Sequence, residues 1–173
     1  MSLEERMGDA GAARPFDSAQ FRQVLGHFPT GVTVVTAMAQ DGPAGMAIGS
    51  FTSVSLEPPL VAFCPSHASL TWPRIRSAGV FCVNVLAEDQ EHLSRIFANR
   101  DETVDRFSGV GWARAGSGSP LLDGVLAWID CDIDVVHAAG DHDIVVGKVR
   151  DLGVAREGGP LLFFRGGYGR FGV

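Results

Sequence analysis

Glycines and hydroxyls on an apolar, β-prone background are the residues best suited to chemistry in this chain. They are concentrated from Gly45 to Ser69, GMAIGSFTSVSLEPPLVAFCPSHAS. Gly45 and Gly49 lie inside a strand-like run, which weakens a strand unless something approaches its backbone closely. Ser66, Ser69 and Thr71 follow in a turn that opens a helix, and a helix N-terminus favours a phosphate. Backbone N–H groups and hydroxyls of this kind can hold the edge of a planar polar ring and a phosphate, while nearby apolar side chains cover the ring. The segment reads as a cofactor cradle.

Other chemistries find less support. A nucleophile elbow needs Gly-x-Ser-x-Gly at a strand-to-helix turn, and Ser50 stands in Ile48-Gly49-Ser50-Phe51-Thr52. His137, Asp141, His142 and Asp143 flank one turn, and such a cluster is more often turn chemistry than a metal site. No Gly-x-Gly-x-x-Gly follows a strand and opens a helix. Gly116-Ser117-Gly118-Ser119 is an isolated connector, and no phosphate-binding P-loop motif occurs.

The elements that must position the cradle follow from periodicity. Phe21, Val24, Leu25 and Phe28 form a helical stripe with Asp17 or Ser18 as its cap and Pro29 as its end. Gly31 to Met38 is a β-branched strand. After the turn at Gln40 to Pro43, Ala44 to Ser55 reads as one strand, pairing with the first as a hairpin. Pro58-Pro59 interrupts the chain, and Leu60 to Cys64 is a short buried strand. Ser69 to Ser77 is a short helix capped by Ser69, with Pro73 in its first turn and Gly79 as its stop. Phe81 to Leu86 is a strand and Glu88 to Asn99 a helix. Asp101 to Phe107 reads as further helical turns, and Gly109 to Gly118 as a loop holding Trp112. Ile129, Cys131, Ile133 and Val135 alternate with Asp130, Asp132 and Asp134, the pattern of a strand with one wet face. It returns as Ile144 to Leu152, which brings Lys148 and Arg150 near those aspartates. Leu161 to Arg165 is a last strand. About seven strands joined mostly by hairpins, with a few short helices, predict a mainly β fold: an antiparallel barrel with peripheral helices.

Composition agrees with one globular domain. The chain has 173 residues, 46% hydrophobic and 20% charged, which suffices for a sizeable core. Net charge is −6 with no Lys/Arg run, which argues against a nucleic-acid partner. Apolar runs are too short to span a bilayer, and the N-terminus lacks a signal-peptide core. Residues 1 to 15 read as a tail and 16–173 as the domain. Cys64, Cys82 and Cys131 are an odd, widely spaced set, which points to free thiols in a reducing cytoplasm.

Five ordered blocks carry a resemblance: FxxxLGHFPTGVTVVT from Phe21, the Gly45–Ser69 segment, FCVNVLAEDQ from Phe81, Gly140-Asp141-His142, and PLLFFRGGYG from Pro160. From about Phe16 to Gly169 the chain resembles the flavin-reductase-like family, and within it the reductase components of two-component flavin monooxygenases. The resemblance implies an antiparallel Greek-key split barrel that binds FMN or FAD near the interface of a homodimer. It also implies reduction of that flavin by NADH or NADPH and delivery to a separate monooxygenase component. By motif, Met46, Ala47, Ile48, Gly49, Ser50, Phe51 and Ser53 would line the flavin ring. Cys64, Pro65, Ser66, Ser69, Leu70 and Thr71 would hold the ribityl and phosphate, with Ala98 and Asn99 closing over that end. Thr30, Gly31, Pro43, Gly45, His142 and Tyr168 would face the nicotinamide, with His142 orienting it or covering the flavin. The family often carries a polar pair where this chain has Ile48-Gly49, so backbone groups alone would serve the ring edge there.

Two rival readings share these residues. One is a split-barrel flavin or haem protein acting as carrier or sensor. The other is a reductase of a corrinoid, quinone or iron complex through bound FMN. The Gly-Asp-His block favours a nicotinamide-using enzyme, and the absence of an arginine pair for a 2′-phosphate leans to NADH.

Overall fold

A computed structural model describes residues 15–101 and 103–171. The tail expected over residues 1 to 15 lies, but for Pro15, outside the described residues. Among the described residues 48% are strand and 15% helix, so the fold is mainly β, as expected.

A seven-stranded antiparallel sheet forms the body. Its strands are β2 (Thr33–Ala39), β3 (Gly42–Ile48), β4 (Thr52–Leu56), β5 (Pro59–Phe63), β6 (Val80–Val85), β9 (Ala127–Ala139) and β10 (His142–Val154). They run in the order β3-β2-β6-β9-β10-β5-β4. Two small sheets complete it: β1 (Thr30–Gly31) with β11 (Leu161–Phe164) and β12 (Gly167–Arg170), and β7 (Trp112–Arg114) with β8 (Pro120–Leu122). Among the described residues three helices lie outside: α1 (Ser18–Leu25), α2 (Thr71–Ala78) and α3 (Glu91–Ala98).

β2 explains the two-sided core. Its Thr-Val-Val-Thr run suits a strand because β-branched side chains pack well on a pleated surface. Alternate residues face opposite ways, so Val35 joins Phe63, Trp72, Ile75 and Phe81 under α2. Val34 joins Leu86, Leu93, Phe97 and Leu161 under α3. The sheet thereby fixes both helices. α2 ends at Gly79, whose φ of 71° suits a residue without Cβ.

Several expectations need correction. The strand expected over Ala44 to Ser55 is two strands, β3 and β4, at opposite ends of the sheet order. Gly49-Ser50-Phe51 makes the crossing, and Ser50 Oγ accepts the Cys64 N–H at 2.9 Å. Asp101 to Phe107 forms turns, not helix, over its described residues. Asp101 and Asp105 each accept a backbone N–H two residues on, from Thr103 and Phe107, both at 3.0 Å, which competes with helix formation. Trp112 lies on β7 within the expected loop, and the Gly-rich tail after Phe164 adds β12. Asp130 is buried rather than wet, because Ser117 supplies it with an N–H at 2.7 Å and a hydroxyl. The β9–β10 hairpin does bring Arg150 to Asp132, at 2.8 Å.

Candidate functional site

The cradle residues open onto a cavity of about 320 Å³ between β3, the turn before α2 and the C-terminus of α3. Met46, Ala47, Ser66, Ser69, Leu70, Thr71, Ala98 and Asn99, all expected from the sequence, line it. Phe97, Arg100 and Arg106 line it as well and had not been expected. A second cavity, of about 470 Å³, adjoins it. Leu70, Thr71 and Arg106 belong to both, and Pro43 and Gly45 face the second.

Three hydroxyls at the first cavity are oriented alike. Ser66 Oγ accepts from Ala68 N at 3.2 Å and Ser69 Oγ from Trp72 N at 3.2 Å. Thr71 Oγ1 accepts from Arg106 Nη1 at 2.6 Å. A hydroxyl donates one hydrogen, and among the described residues none of these three meets an acceptor. Ser69 thus supplies the helix-start hydrogen bond expected of it, with Leu70 as the residue at the cap. The three O–H groups are therefore available to an anion.

Arg106 is the centre of the charge. Besides Thr71 it donates from Nη2 to the Asn99 carbonyl at 2.6 Å, and weakly from Nη1 to the Gly45 carbonyl at 3.5 Å. Its Nε is buried with no acceptor. Among the described residues no carboxylate lies within ion-pair distance of it. A half-buried guanidinium with only neutral partners favours an anion nearby, since charge withdrawn from water is costly without a counter-charge. Three hydroxyls and two arginines at one end, with Met46, Ala47, Leu70 and Phe97 beside them, fit a phosphate-bearing cofactor with a flat apolar ring.

Gly45 has a different meaning from the one expected. A Cβ there would sit 2.6 Å from Phe97 Cε1 and 3.2 Å from Phe107 Cζ. The group approaching its backbone is the protein's own aromatic pair, whose rings lie 5.1 Å apart. Gly45 thereby lets α3 close against β3 beside the second cavity. Gly49 lies against Thr30, whose Oγ1 would be 3.1 Å from an added Cβ.

His142 stands at the start of β10, at the hairpin tip, and the tip is clasped to the cradle turn. His142 forms a bridge with Ser66, His67 N donates to the Asp141 carbonyl at 2.9 Å, and Asp143 N donates to the Pro65 carbonyl at 3.0 Å. Asp143 is buried and accepts from His67 Nε2 and Trp72 Nε1, both at 2.8 Å. Those two hydrogen bonds hold its carboxyl below the usual carboxylate range. His142 Nδ1 lies 2.7 Å from Asp141 Oδ1. An ionised carboxylate only accepts, so Nδ1 donates and Nε2 is the atom left for a ligand. The His142 contact also holds the Asp141 carboxyl below its ordinary range.

Other expected residues lie apart. Ile48 is buried in the core and its carbonyl accepts from Thr33 Oγ1 at 3.0 Å. Gly49, Ser50 and Phe51 form the crossing, which the Cys64 N–H holds through Ser50 Oγ, while Ser53 pairs with Val61 on β5. Thr30 and Gly31 pair with Phe163 and Leu162. Tyr168 contacts α3, its hydroxyl 2.8 Å from Ser94 Oγ and its ring under Arg95. Pro43 and Gly45 share their cavity with none of Thr30, Gly31, His142 and Tyr168. Phe97, Arg100, Arg106 and His67 are the residues that motif reading did not assign to the site, and Asp143 was read only as turn chemistry beside His142. The one usable signal was Asp143 itself, a carboxylate two residues from another at a tip that also carries His142.

An antiparallel barrel-like sheet, split between β3 and β4 and carrying an anion-ready cavity against its first end strand, defines the class: a split-barrel protein built to hold a phosphate-bearing cofactor. Comparison with known proteins narrows it. Residues 25–172 match the flavin reductase like domain. A flavin reductase of Pseudomonas putida is 56% identical over 90% of this chain and 91% of its own. The reductase subunit HsaB of a flavin-dependent monooxygenase from Rhodococcus jostii is 48% identical, covering 96% and 85%. The FMN reductase (NADH) SmoA of Agrobacterium fabrum is 43% identical, covering 90% and 87%. Among solved structures, a nitrilotriacetate monooxygenase component B homologue from Mycobacterium thermoresistibile superposes with a TM-score of 0.86 at 46% identity, covering 90% and 87%. The chain belongs to the flavin reductase-like family.

Proposed function

We propose that this protein is an NAD(P)H:flavin oxidoreductase that reduces FMN or FAD with NADH and hands the reduced flavin to a separate monooxygenase component. The observation that carries the reading is the first cavity. There, among the described residues, an apolar wall meets three hydroxyls with no acceptor for their hydrogens and an Arg106 with no carboxylate at ion-pair distance. Relatives named as flavin reductases and as reductase subunits support it.

In this reading Ser66, Ser69, Thr71, Arg100 and Arg106 bind the flavin phosphate, with Ala98 and Asn99 at the same end. Cys64 and Pro65 border the ribityl. Met46 and Ala47 cover the ring, and backbone groups from Ile48 to Phe51, with Ser53, serve its edge. Bound flavin supplies the two-electron acceptor, so no side-chain base is required. The chain's own task is to hold the two rings at reacting distance and to exclude water. His142 orients the nicotinamide through Nε2, held in place by Asp141 and by the clasp to the cradle turn. Thr30 and Gly31 line the same side, and Tyr168 buttresses α3 behind it. Residues 16–173 act as one functional domain, working as a homodimer in the cytoplasm. The three cysteines are free, and burial pushes the Cys82 and Cys131 thiols up to about 12, which keeps both unreactive.

NADH oxidation followed by absorbance tests the reading. It is expected to require added flavin. His142→Ala should raise the KM for NADH by up to about tenfold, the upper range for one lost neutral hydrogen bond, with flavin affinity unchanged. NADH oxidation indifferent to every flavin would overturn the assignment.

A further inference from the structure

Asp143 lines neither cavity, yet its carboxylate grips the turn that carries the cavity hydroxyls from both sides. It accepts from His67 Nε2 and from Trp72 Nε1, both at 2.8 Å. In sequence these two residues bracket Ser69 and Thr71, and His67 adjoins Ser66. Trp72 is buried and packs edge-on against Phe63 at 5.9 Å. The carboxylate thus ties the turn between β5 and α2 to the core. Arg76 Nη1 stands 3.6 Å from Asp143 Oδ2 as a further partner. The negative charge strengthens each of these hydrogen bonds.

Asp143 also follows His142 directly on β10. Neighbouring residues on a strand face opposite ways, so Asp143 is buried under the turn while the His142 side chain stays 43% exposed. Backbone contacts join the same two segments: Asp143 N to the Pro65 carbonyl, His67 N to the Asp141 carbonyl, and the bridge between Ser66 and His142. We propose that Asp143 and His67 are positioning residues for the reaction: they lock the hydroxyl turn and the His142 tip into one unit, so that flavin affinity and the KM for NADH depend on the same buried pair. The inference rests on the flavin reading of the first cavity and on His142 facing the nicotinamide. Neither residue of the pair touches either nucleotide. His67 fixes where Ser66 and Ser69 present their O–H groups, and Asp143 fixes where β10 begins and so where His142 Nε2 points. Misplacement of such groups by about 1 Å is enough to weaken binding and turnover.

His67→Ala removes one hydrogen bond and leaves the carboxylate with Trp72 and Arg76, so the fold is expected to survive. Calorimetric titration of the full-length protein with FMN should show a Kd about three- to tenfold larger, part of the worth of one charge-assisted hydrogen bond. The KM for NADH at saturating flavin should rise by a similar factor. His67→Gln places an amide N–H where Nε2–H stood and should restore both values. His67→Asn, whose shorter amide falls short of Asp143, makes the same comparison where the alanine variant does not fold. A His67→Ala protein that melts earlier but keeps the wild-type Kd and KM would reduce the pair to a support of the fold and overturn the inference. So would a change in Kd alone, a change in KM alone, or a His67→Gln no better than the alanine. A wild type that binds no flavin would instead defeat the reading of the first cavity, and this inference with it.

Discussion

Arg106 shows how the residue scale divides between the legible and the hidden. The hydroxyls Ser66, Ser69 and Thr71, which line the first cavity, were legible because they sit in a turn that opens a helix, where a phosphate is favoured. Arg106 was not, because an arginine in a charged stretch reads as a solvated side chain. Its importance comes from what folds around it: Thr71, Asn99 and a buried Nε without a partner. Arg106→Met should weaken flavin binding by about tenfold to a hundredfold, the range expected for a lost charged hydrogen bond. Titration calorimetry checks this, and an unchanged Kd would contradict it. Asp143 supports a prediction about pH. Its carboxyl is held below the ordinary value of 3.8 by His67 and Trp72, so the folded protein binds that proton less readily than the unfolded chain. The stabilisation is complete above the unfolded value and fades as pH falls through the lower, folded one. Asp143→Asn should therefore flatten the acid limb of a melting-temperature profile below about pH 4. Identical acid limbs would contradict the role.

Among the elements, β3 and α3 decide the shape of the site. The sequence marked Gly45 and Gly49 correctly as places of close approach, but not what approaches. A periodicity argument sees one strand from Ala44 to Ser55. It cannot see that the sheet's ends lie at β3 and β4, because that division depends on long-range pairing to β2 and β5. The turns after α3 were misread for a local reason: Asp101 and Asp105 offer the backbone an alternative to helical bonds. Gly45→Ala tests the packing of α3 on β3. Its Cβ would press on Phe97, itself 2% exposed, and overpacking of this kind costs about 1–3 kcal/mol. Denaturant unfolding should show that loss, and an unchanged midpoint would mean that α3 shifts freely.

For the whole molecule, class and family were readable because strand-length apolar runs, turn residues and five ordered blocks agree. A homodimer is implied by the resemblance alone, and the surface bears on that expectation. Phe21, Val24, Leu25 and Phe28 of the α1 region are each at least half exposed, and Phe163 and Phe164 on β11 are also open. The two groups adjoin, for His27 packs edge-on to Phe164 at 6.3 Å and Arg165 N donates to the Gly26 carbonyl at 2.9 Å. Contiguous apolar surface of this kind marks an interface. Sedimentation should find a dimer, and Phe28→Glu with Phe164→Glu should yield monomers; a wild-type monomer would contradict the homodimer.

The central claim is that this chain reduces flavin with a nicotinamide donor. Mixing the purified protein with flavin and NADH under anaerobic conditions, and following flavin absorbance, tests it most directly. The account predicts bleaching at a rate proportional to protein. Flavin that binds yet stays oxidised would contradict it and leave a carrier, or an enzyme served by another electron donor.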